Sequence, residues 1–423
     1  MWFFYMVAEN AIHPSKWMKT DDAGLYCVPG DFYIDPMQPV ATALVTHGHA
    51  DHARAGHKRV FAHPQTMAIM TTRYGDDMAE VQIPVPYRES VEFDEVITTD
   101  SNSASTEQEQ RKIKVTFYPA GHILGSSQLL IEYAGYRLVI SGDYKRRHDP
   151  TCPPFEVVPC DVLITEATFG LPVFAHPPIE KEIQKLLHSL DVFPTRCHLV
   201  GTYALGKCQR VILALREAGY TKPIYLHGAL LKLCDLYERE GIALGDIIPV
   251  SEVEDKALLA GEIVLAPPSA LADRWSRSLP HVRAVLASGW MQIRARAKQR
   301  NAELPLIISD HCDWPELLQT LTEVNPSEVW VTHGREDALM YQAQKMGFKA
   351  RALSLVGYDE AAQEEEQCRH LVTYLNSFTI PPEPKPKRSL FCITLLLRQT
   401  PIVAGPLLLW QARSSLIFLS AIR

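Results

Sequence analysis

Short apolar runs punctuated by glycine, proline and polar residues recur along the chain, and several of them end in a histidine or an aspartate. Ala43-Leu44-Val45 runs into Thr46-His47, and the alternating stretch Ile113 to Tyr118 precedes Pro119-Ala120-Gly121-His122. Tyr136 to Ile140 leads into Ser141-Gly142-Asp143, and Glu328 to Val331 into Thr332-His333-Gly334. Period-two alternation and short β-branched runs predict strands, so these residues are expected at strand ends. From Leu171 to Pro305 the pattern changes to regular alternation. Strands are expected over 197–200, 223–226 and 262–266, with helices over 206–217 and 230–240. That order predicts an α/β protein with an inserted parallel-sheet domain, after which Leu306-Ile307-Ile308 returns the chain to the first domain.

The densest chemistry lies in Thr46-His47-Gly48-His49-Ala50-Asp51-His52, where three imidazoles and a carboxylate occupy six residues. Residues i and i+2 at a strand end point the same way, so His47 and His49 can grip one ion while Asp51 and His52 reach a second. A mixed His/Asp set leaves coordination positions open for water, which favours a catalytic over a structural site, and imidazole suits zinc. Scattered surface histidines are the plain alternative, but such clustering is improbable with 16 His in 423 residues. His122, Asp143 and His333 complete a set of five His and two Asp, enough for two ions. His47, His49 and His122 would hold one, Asp51, His52 and His333 the other, and Asp143 would bridge.

With these residues in place, the chain resembles the metallo-β-lactamase superfamily. Leu163 to Gly170 is similar to the acidic motif that opens its β-CASP nuclease branch, Ser309-Asp310-His311-Cys312-Asp313 to the second motif, and Thr332-His333-Gly334 to the third. Gly24 to Phe32, Thr46 to His57, Ser141 to Arg147 and Ser288 to Met291 resemble the bacterial ligase-associated DNA exonucleases, also described as mRNA 3′-end-processing-factor-like. The resemblance spans roughly residues 15–375. It implies an αββα metallo-β-lactamase sandwich built from residues 1–170 and 306–377, with a β-CASP-type parallel α/β domain inserted over 171–305 and capping the site.

The expected chemistry is metal-assisted phosphodiester hydrolysis by two divalent ions, zinc in the first place and manganese as the alternative. His311 would protonate the leaving oxygen, since imidazole titrates near neutral pH, and Glu166 would orient a site histidine. Asp51 would serve both as ligand and in catalysis. Asp310 and Asp313 could support His311 or cap the following helix. The expected substrate is DNA, single-stranded or at ends, with RNA as the alternative, and the resemblance implies an ATP-dependent DNA ligase and a helicase as partners. A small-molecule hydrolase would not need the inserted domain or the Glu166 and His311 motifs, and an inactive scaffold would have lost ligands.

Composition qualifies this picture. The net charge of −7 would weaken binding to phosphates if spread evenly, but Lys145-Arg146-Arg147 and Arg294-Ala295-Arg296-Ala297-Lys298-Gln299-Arg300 are dense local clusters. Lys145, Arg146, Arg147, Arg294 and Arg296 are the expected nucleic-acid contacts, with a solvated helix face as the alternative for the second cluster. Gly201 to Lys207, at a strand-to-helix turn, could cradle a phosphate on backbone N–H groups, although its spacing is not that of a nucleotide-hydrolysing loop. Nine Cys without C-x-x-C spacing point to reduced thiols and a cytoplasmic protein, and Cys312 reads as a small buried residue. Residues 1–7 lack a basic start and a long apolar run, the pattern of a signal peptide. The polar segment 100–111 reads as a solvated loop. Residues 378–423 read as a Pro-rich basic linker and an atypical apolar tail, too interrupted for a membrane span.

Overall fold

Six strands form the first sheet in chain order: β1 (Met18–Asp21), β2 (Gly24–Cys27), β3 (Phe32–Ile34), β4 (Thr42–Val45), β5 (His57–Ala62) and β6 (Ala79–Pro84). The first three pair antiparallel and the rest parallel, with helix α1 (Pro64–Tyr74) crossing between β5 and β6. Four-residue β4 is buried along its whole length, as a run of Thr42-Ala43-Leu44-Val45 without alternation demands.

A second sheet begins with β7 (Ser90–Asp94), β8 (Lys112–Pro119), β9 (Ser127–Tyr133), β10 (Tyr136–Ile140) and β11 (Val162–Ala167). The chain then leaves to build a third sheet from β12 (His198–Gly201), β13 (Ile224–Leu226), β14 (Ile247–Pro249), β15 (Ile263–Ala266), β16 (Arg283–Ala287) and β17 (Leu304–Leu306). All its pairings are parallel, in the order β14-β13-β15-β12-β16-β17. Helices α2 (Ile179–Val192), α3 (Lys207–Glu217), α4 (Gly228–Arg239) and α5 (Arg294–Gln299) belong to this stretch. After α6 (Trp314–Val324), β18 (Glu328–Gly334) returns to pair with β11, and α7 (Glu336–Lys345) leads to β19 (Lys349–Ala352) at the edge of the second sheet.

The first two sheets face each other across a core that includes Phe32, Leu44, Phe117, Leu129 and Trp330. Full burial of side chains of this size contributes about 1.5–3 kcal/mol each. On the outer side of the first sheet Val45 and Val60 pack with Met67 and Met70 of α1, and on the outer side of the second Leu163 and Val329 pack with Leu317, Leu321 and Leu339 of α6 and α7. The layers are therefore helix, sheet, sheet, helix. The core of the third sheet continues into Ile69, Ile123 and Leu124 of the sandwich, which seats its helices beside α1 and the loop that follows β8.

The computed structural model describes residues 11–96, 111–334 and 336–353. The readings made of residues 1–7, of the polar segment over 100–110 and of the tail 378–423 fall outside them. Among the described residues no helix is long and apolar enough to cross a membrane.

Candidate metal centre

Strand ends carry the cluster. β4 delivers Thr46-His47, and the turn that follows is closed by backbone bonds from His52 and Ala53 to the His49 carbonyl, which gathers His47, His49, Asp51 and His52 in one buried loop. β8 delivers His122, β10 delivers Asp143, and β18 delivers His333. Gly142 has a φ of 54°, and a Cβ there would lie 2.9 Å from the Thr46 side chain; only glycine lets these two loops close and brings Asp143 to the histidines. At Gly334 an added Cβ would stand 2.3 Å from the Ala167 carbonyl, where the β11–β18 register shifts. Such an irregularity re-aims side chains, here Glu166 and His333, and His333 itself has a φ of 54°.

One group of donors is His47, His49, His122 and Asp143, whose ligand atoms lie within 4.8 Å of one another. His47 Nε2 is 3.1 Å from His49 Nδ1, and His122 Nε2 is 3.0 Å from the same atom. Asp143 Oδ2 is 3.4 Å from His47 Nε2 and 3.8 Å from His122 Nε2. A tetrahedral ion with bonds of about 2.0–2.1 Å has donor–donor edges of roughly 3.3 Å, so the spacing suits one. Burial holds all three imidazoles well below the ordinary histidine range, His49 at about 4. They are neutral at pH 7, with lone pairs available to a cation.

A second group is His52, Asp143 and His333, joined by Asp51, whose Oδ2 is 3.3 Å from His52 Nε2. His52 Nε2 is 3.4 Å from Asp143 Oδ2, and His333 Nδ1 is 3.4 Å from Asp143 Oδ1. Asp143 thus faces both groups, one oxygen toward each of His47 and His333. Burial pushes Asp51 up, but His52 outweighs it and holds the carboxyl at about 2. Burial likewise disfavours a charged His52, yet Asp51, Asp143 and Asp35 raise it well above its ordinary value. Three converging carboxylates therefore demand a positive charge at this spot, as a cation would supply. Together the two groups fit a dinuclear metal site.

Asp35 was not anticipated. It follows β3 with a φ of 45°, its Oδ2 takes a hydrogen bond from His52 Nδ1 at 2.7 Å, and it also accepts from the Thr46 N–H and hydroxyl at 2.7 and 2.6 Å. The only signal in the sequence is a carboxylate at a strand end before Pro36.

His311 stands beside the cluster. Its Nδ1 is 3.0 Å from Glu166 Oε2 and 4.0 Å from Asp143 Oδ2, while Glu166 Oε1 accepts from the Tyr144 N–H at 2.7 Å. Glu166 is thus fixed by backbone and in turn fixes the imidazole. Of the two aspartates flanking His311, Asp313 caps α6 in a capping box with Glu316, and Asp310 pairs with Lys207 and Arg210. Cys312 is fully buried and its thiol is pushed up.

The basic residues divide. Lys145, an expected phosphate contact, is buried, and its ammonium turns inward to Asp149 and the His122 carbonyl. Arg146 pairs with Glu323 and Arg147 with Asp313 and Glu316, so carboxylates already hold both. Arg294 and Arg296 are exposed on α5, with the Arg296 guanidinium 3.8 Å from the Trp290 ring centroid. The turn from Gly201 to Lys207 sends the Leu205 carbonyl toward His49 Nε2, at 3.3 Å, while the Lys207 and Cys208 N–H groups bond within the turn. It is a contact on the metal centre, not an open anion cradle.

No family model matches the chain. Curated relatives do. A "Probable DNA ligase" of Opitutus terrae is 28% identical over 340 residues, 78% of this chain and 30% of that protein. "Endoribonuclease ysh-1" of Neurospora crassa is 32% identical over 240 residues, 50% of this chain and 28% of that protein. "Cleavage and polyadenylation specificity factor subunit 3-I" of Arabidopsis thaliana is 25% identical over 409 residues, 80% of this chain and 57% of that protein. The chain thus spans less than two thirds of each of these relatives.

Proposed function

We propose that the chain is a nuclease of the β-CASP branch of the metallo-β-lactamase superfamily and, within it, a two-metal phosphodiesterase, an exonuclease that trims DNA ends ahead of a ligase. The observation that carries the chemistry is the convergence of His47, His49, His122, Asp51, His52 and His333 on Asp143, with His311 4.0 Å from the same carboxylate. Two divalent ions, when bound, supply Lewis acidity and neutralise charge on the phosphoryl oxygens as water attacks phosphorus. Zinc is the ion proposed, since neutral imidazoles dominate the first group; manganese would suit the carboxylate-rich second group.

The remaining work falls to the chain. His311, with Nδ1 engaged by Glu166, offers Nε2 as the proton donor to the leaving oxygen. Positioned general acids contribute typically 10²–10⁴-fold. Exposed Arg294 and Arg296 are the proposed contacts to the strand's phosphates, and the third sheet, over 171–305, is the proposed lid. DNA as substrate is supported by the relative named as a DNA ligase, which matches 78% of this chain with only 30% of its own length: a segment similar to this chain there accompanies a much longer one.

RNA processing is the second reading, supported by the relatives named as an endoribonuclease and as a cleavage and polyadenylation factor subunit. Labelled DNA and RNA strands of one sequence, linear and covalently closed, separate the two. Stepwise release of nucleotides from linear DNA and inert circles are expected. Rapid cutting of circles, or a strong preference for RNA, would transfer the assignment to the second reading.

A further inference from the structure

The two metal positions are oriented from different parts of the fold. His52, in the second group, is aligned by Asp35 of the first sheet. Two of the three histidines of the first group are aligned from the third-sheet side, while His47 Nδ1 lies 3.1 Å from the Thr46 hydroxyl, which donates to Asp35. His49 Nε2 donates to the carbonyl of Leu205, at 3.3 Å, which leaves Nδ1 facing His47 and His122. His122 Nδ1 donates to the carbonyl of Asp310, at 2.8 Å, which leaves its Nε2 facing the same point. Asp310 is in turn held by residues of α3: its Oδ2 is 3.3 Å from Lys207 Nζ and its Oδ1 3.2 Å from an Arg210 guanidinium nitrogen. Arg210 also donates to the Ser309 carbonyl and approaches Asp149 at 3.5 Å. Lys207, Arg210 and Asp310 are each at most 5% exposed, so these charges have little alternative in solvent and their geometry is enforced.

We propose that the segment Leu205 to Arg210 is the outer coordination shell of one metal ion and not of the other. Leu205 fixes the His49 tautomer directly, and Lys207 and Arg210 fix that of His122 through the Asp310 backbone. They are positioning residues: none carries a donor atom of the cluster. The α3 segment therefore tunes the affinity of the position made by His47, His49 and His122 and leaves that made by Asp51, His52 and His333 untouched, whereas Asp35 meets His52 directly and reaches His47 only through Thr46. This rests on the reading of the two groups as metal positions. Partners of this kind are worth 10–100-fold in metal affinity.

The test uses the full chain stripped with a chelator and titrated with Co(II), whose visible absorption reports each bound ion. Wild type should take up two ions. In Arg210→Met and Asp310→Asn one dissociation constant should rise tenfold to a hundredfold with a changed absorption band, the other constant staying put. Arg210→Lys, which keeps the charge, should lie between Met and wild type. Should Arg210→Met fail to fold by circular dichroism, Asp310→Asn decides alone, since it keeps both shape and carbonyl. Two unchanged constants, or two that move together, overturn the proposal. A wild type that takes up no ions would instead sink the metal-centre reading beneath it.

Discussion

Asp35 backs His52 with a 2.7 Å contact between Oδ2 and Nδ1, and the same carboxylate ties down the Thr46 N–H and hydroxyl at the start of the histidine loop. One side chain thereby sets both the imidazole's tautomer and the path of the loop that carries four candidate ligands. Asp35→Ala should weaken the position made by Asp51, His52 and His333 by about 10–100-fold and the other by less, since Asp35 reaches His47 only through Thr46. The Co(II) titration used for Arg210 reads this directly, and selective loss of the first ion instead would contradict the assignment.

Asp143 faces both groups, one carboxylate oxygen toward each of His47 and His333. Asp143→Ala should lose at least one of the two ions after dialysis. Elemental analysis showing full occupancy in that variant would remove Asp143 from the bridge.

The contrast between Asp143 and Asp35 shows what a sequence can disclose. The histidine-rich loop, His122, Asp143 and His333 were legible because each ends a short apolar run, where strand geometry throws side chains to one edge. Cys197 to Ala266 betrayed its strands and helices by alternation, with bounds within two residues of those observed for β12, α3, β13, α4 and β15. Asp35 offered only a lone carboxylate before proline. The pairing of Lys207 and Arg210 with Asp310 joins residues about a hundred apart, which no local pattern encodes. Lys145 to Arg147 show the opposite limit: local charge density says nothing of the carboxylates that the fold brings to meet it.

His311, Glu166 and Asp143 have ligand atoms within 4.8 Å of one another, but Glu166 engages His311 Nδ1 at 3.0 Å and the groups around His47 and His52 are made without it. His311→Ala should therefore keep both ions and slow cleavage by roughly a hundredfold or more. A substrate whose leaving alcohol has a low pKa should recover part of that loss, because it needs no proton. If the variant strips an ion, His311 is a ligand and its role as acid is wrong.

His63 provides a test of acid sensitivity away from the metal groups. It caps α1 through the Gln65 N–H, stacks on Tyr87 at 3.7 Å, and burial lowers its pKa from 6.5 to about 4. An unfolded chain takes up a proton here as pH falls through 6.5, and the folded chain does not until about 4. The stability it contributes is therefore present above pH 6.5 and drains away between those values. His63→Asn preserves the cap, since Asn is a favoured residue there, and removes the titration. With chelator present, so that metal release plays no part, the variant should lose roughly 1–3 kcal/mol less than wild type between pH 6.5 and 4. Parallel pH profiles in urea melts would refute it.

Arg296 gives the substrate proposal its sharpest physical test. Its guanidinium lies over the half-buried Trp290, whose ring centroid is 4.8 Å from that of Phe169, and Phe169 is 6.2 Å from His311. Arg296 is thus linked to the proposed acid through half-buried Trp290 and buried Phe169. Binding to phosphates releases counterions, so the logarithm of affinity falls with the logarithm of salt by about 0.7 per phosphate contact on a single strand. Arg296→Ala and Arg294→Ala should each flatten that slope by about one such increment, weaken DNA binding with little dependence on base sequence, and leave metal content untouched. Fluorescence anisotropy across a salt series measures the slope. A slope unchanged in both variants would mean that α5 is a solvated face and that the strand enters elsewhere.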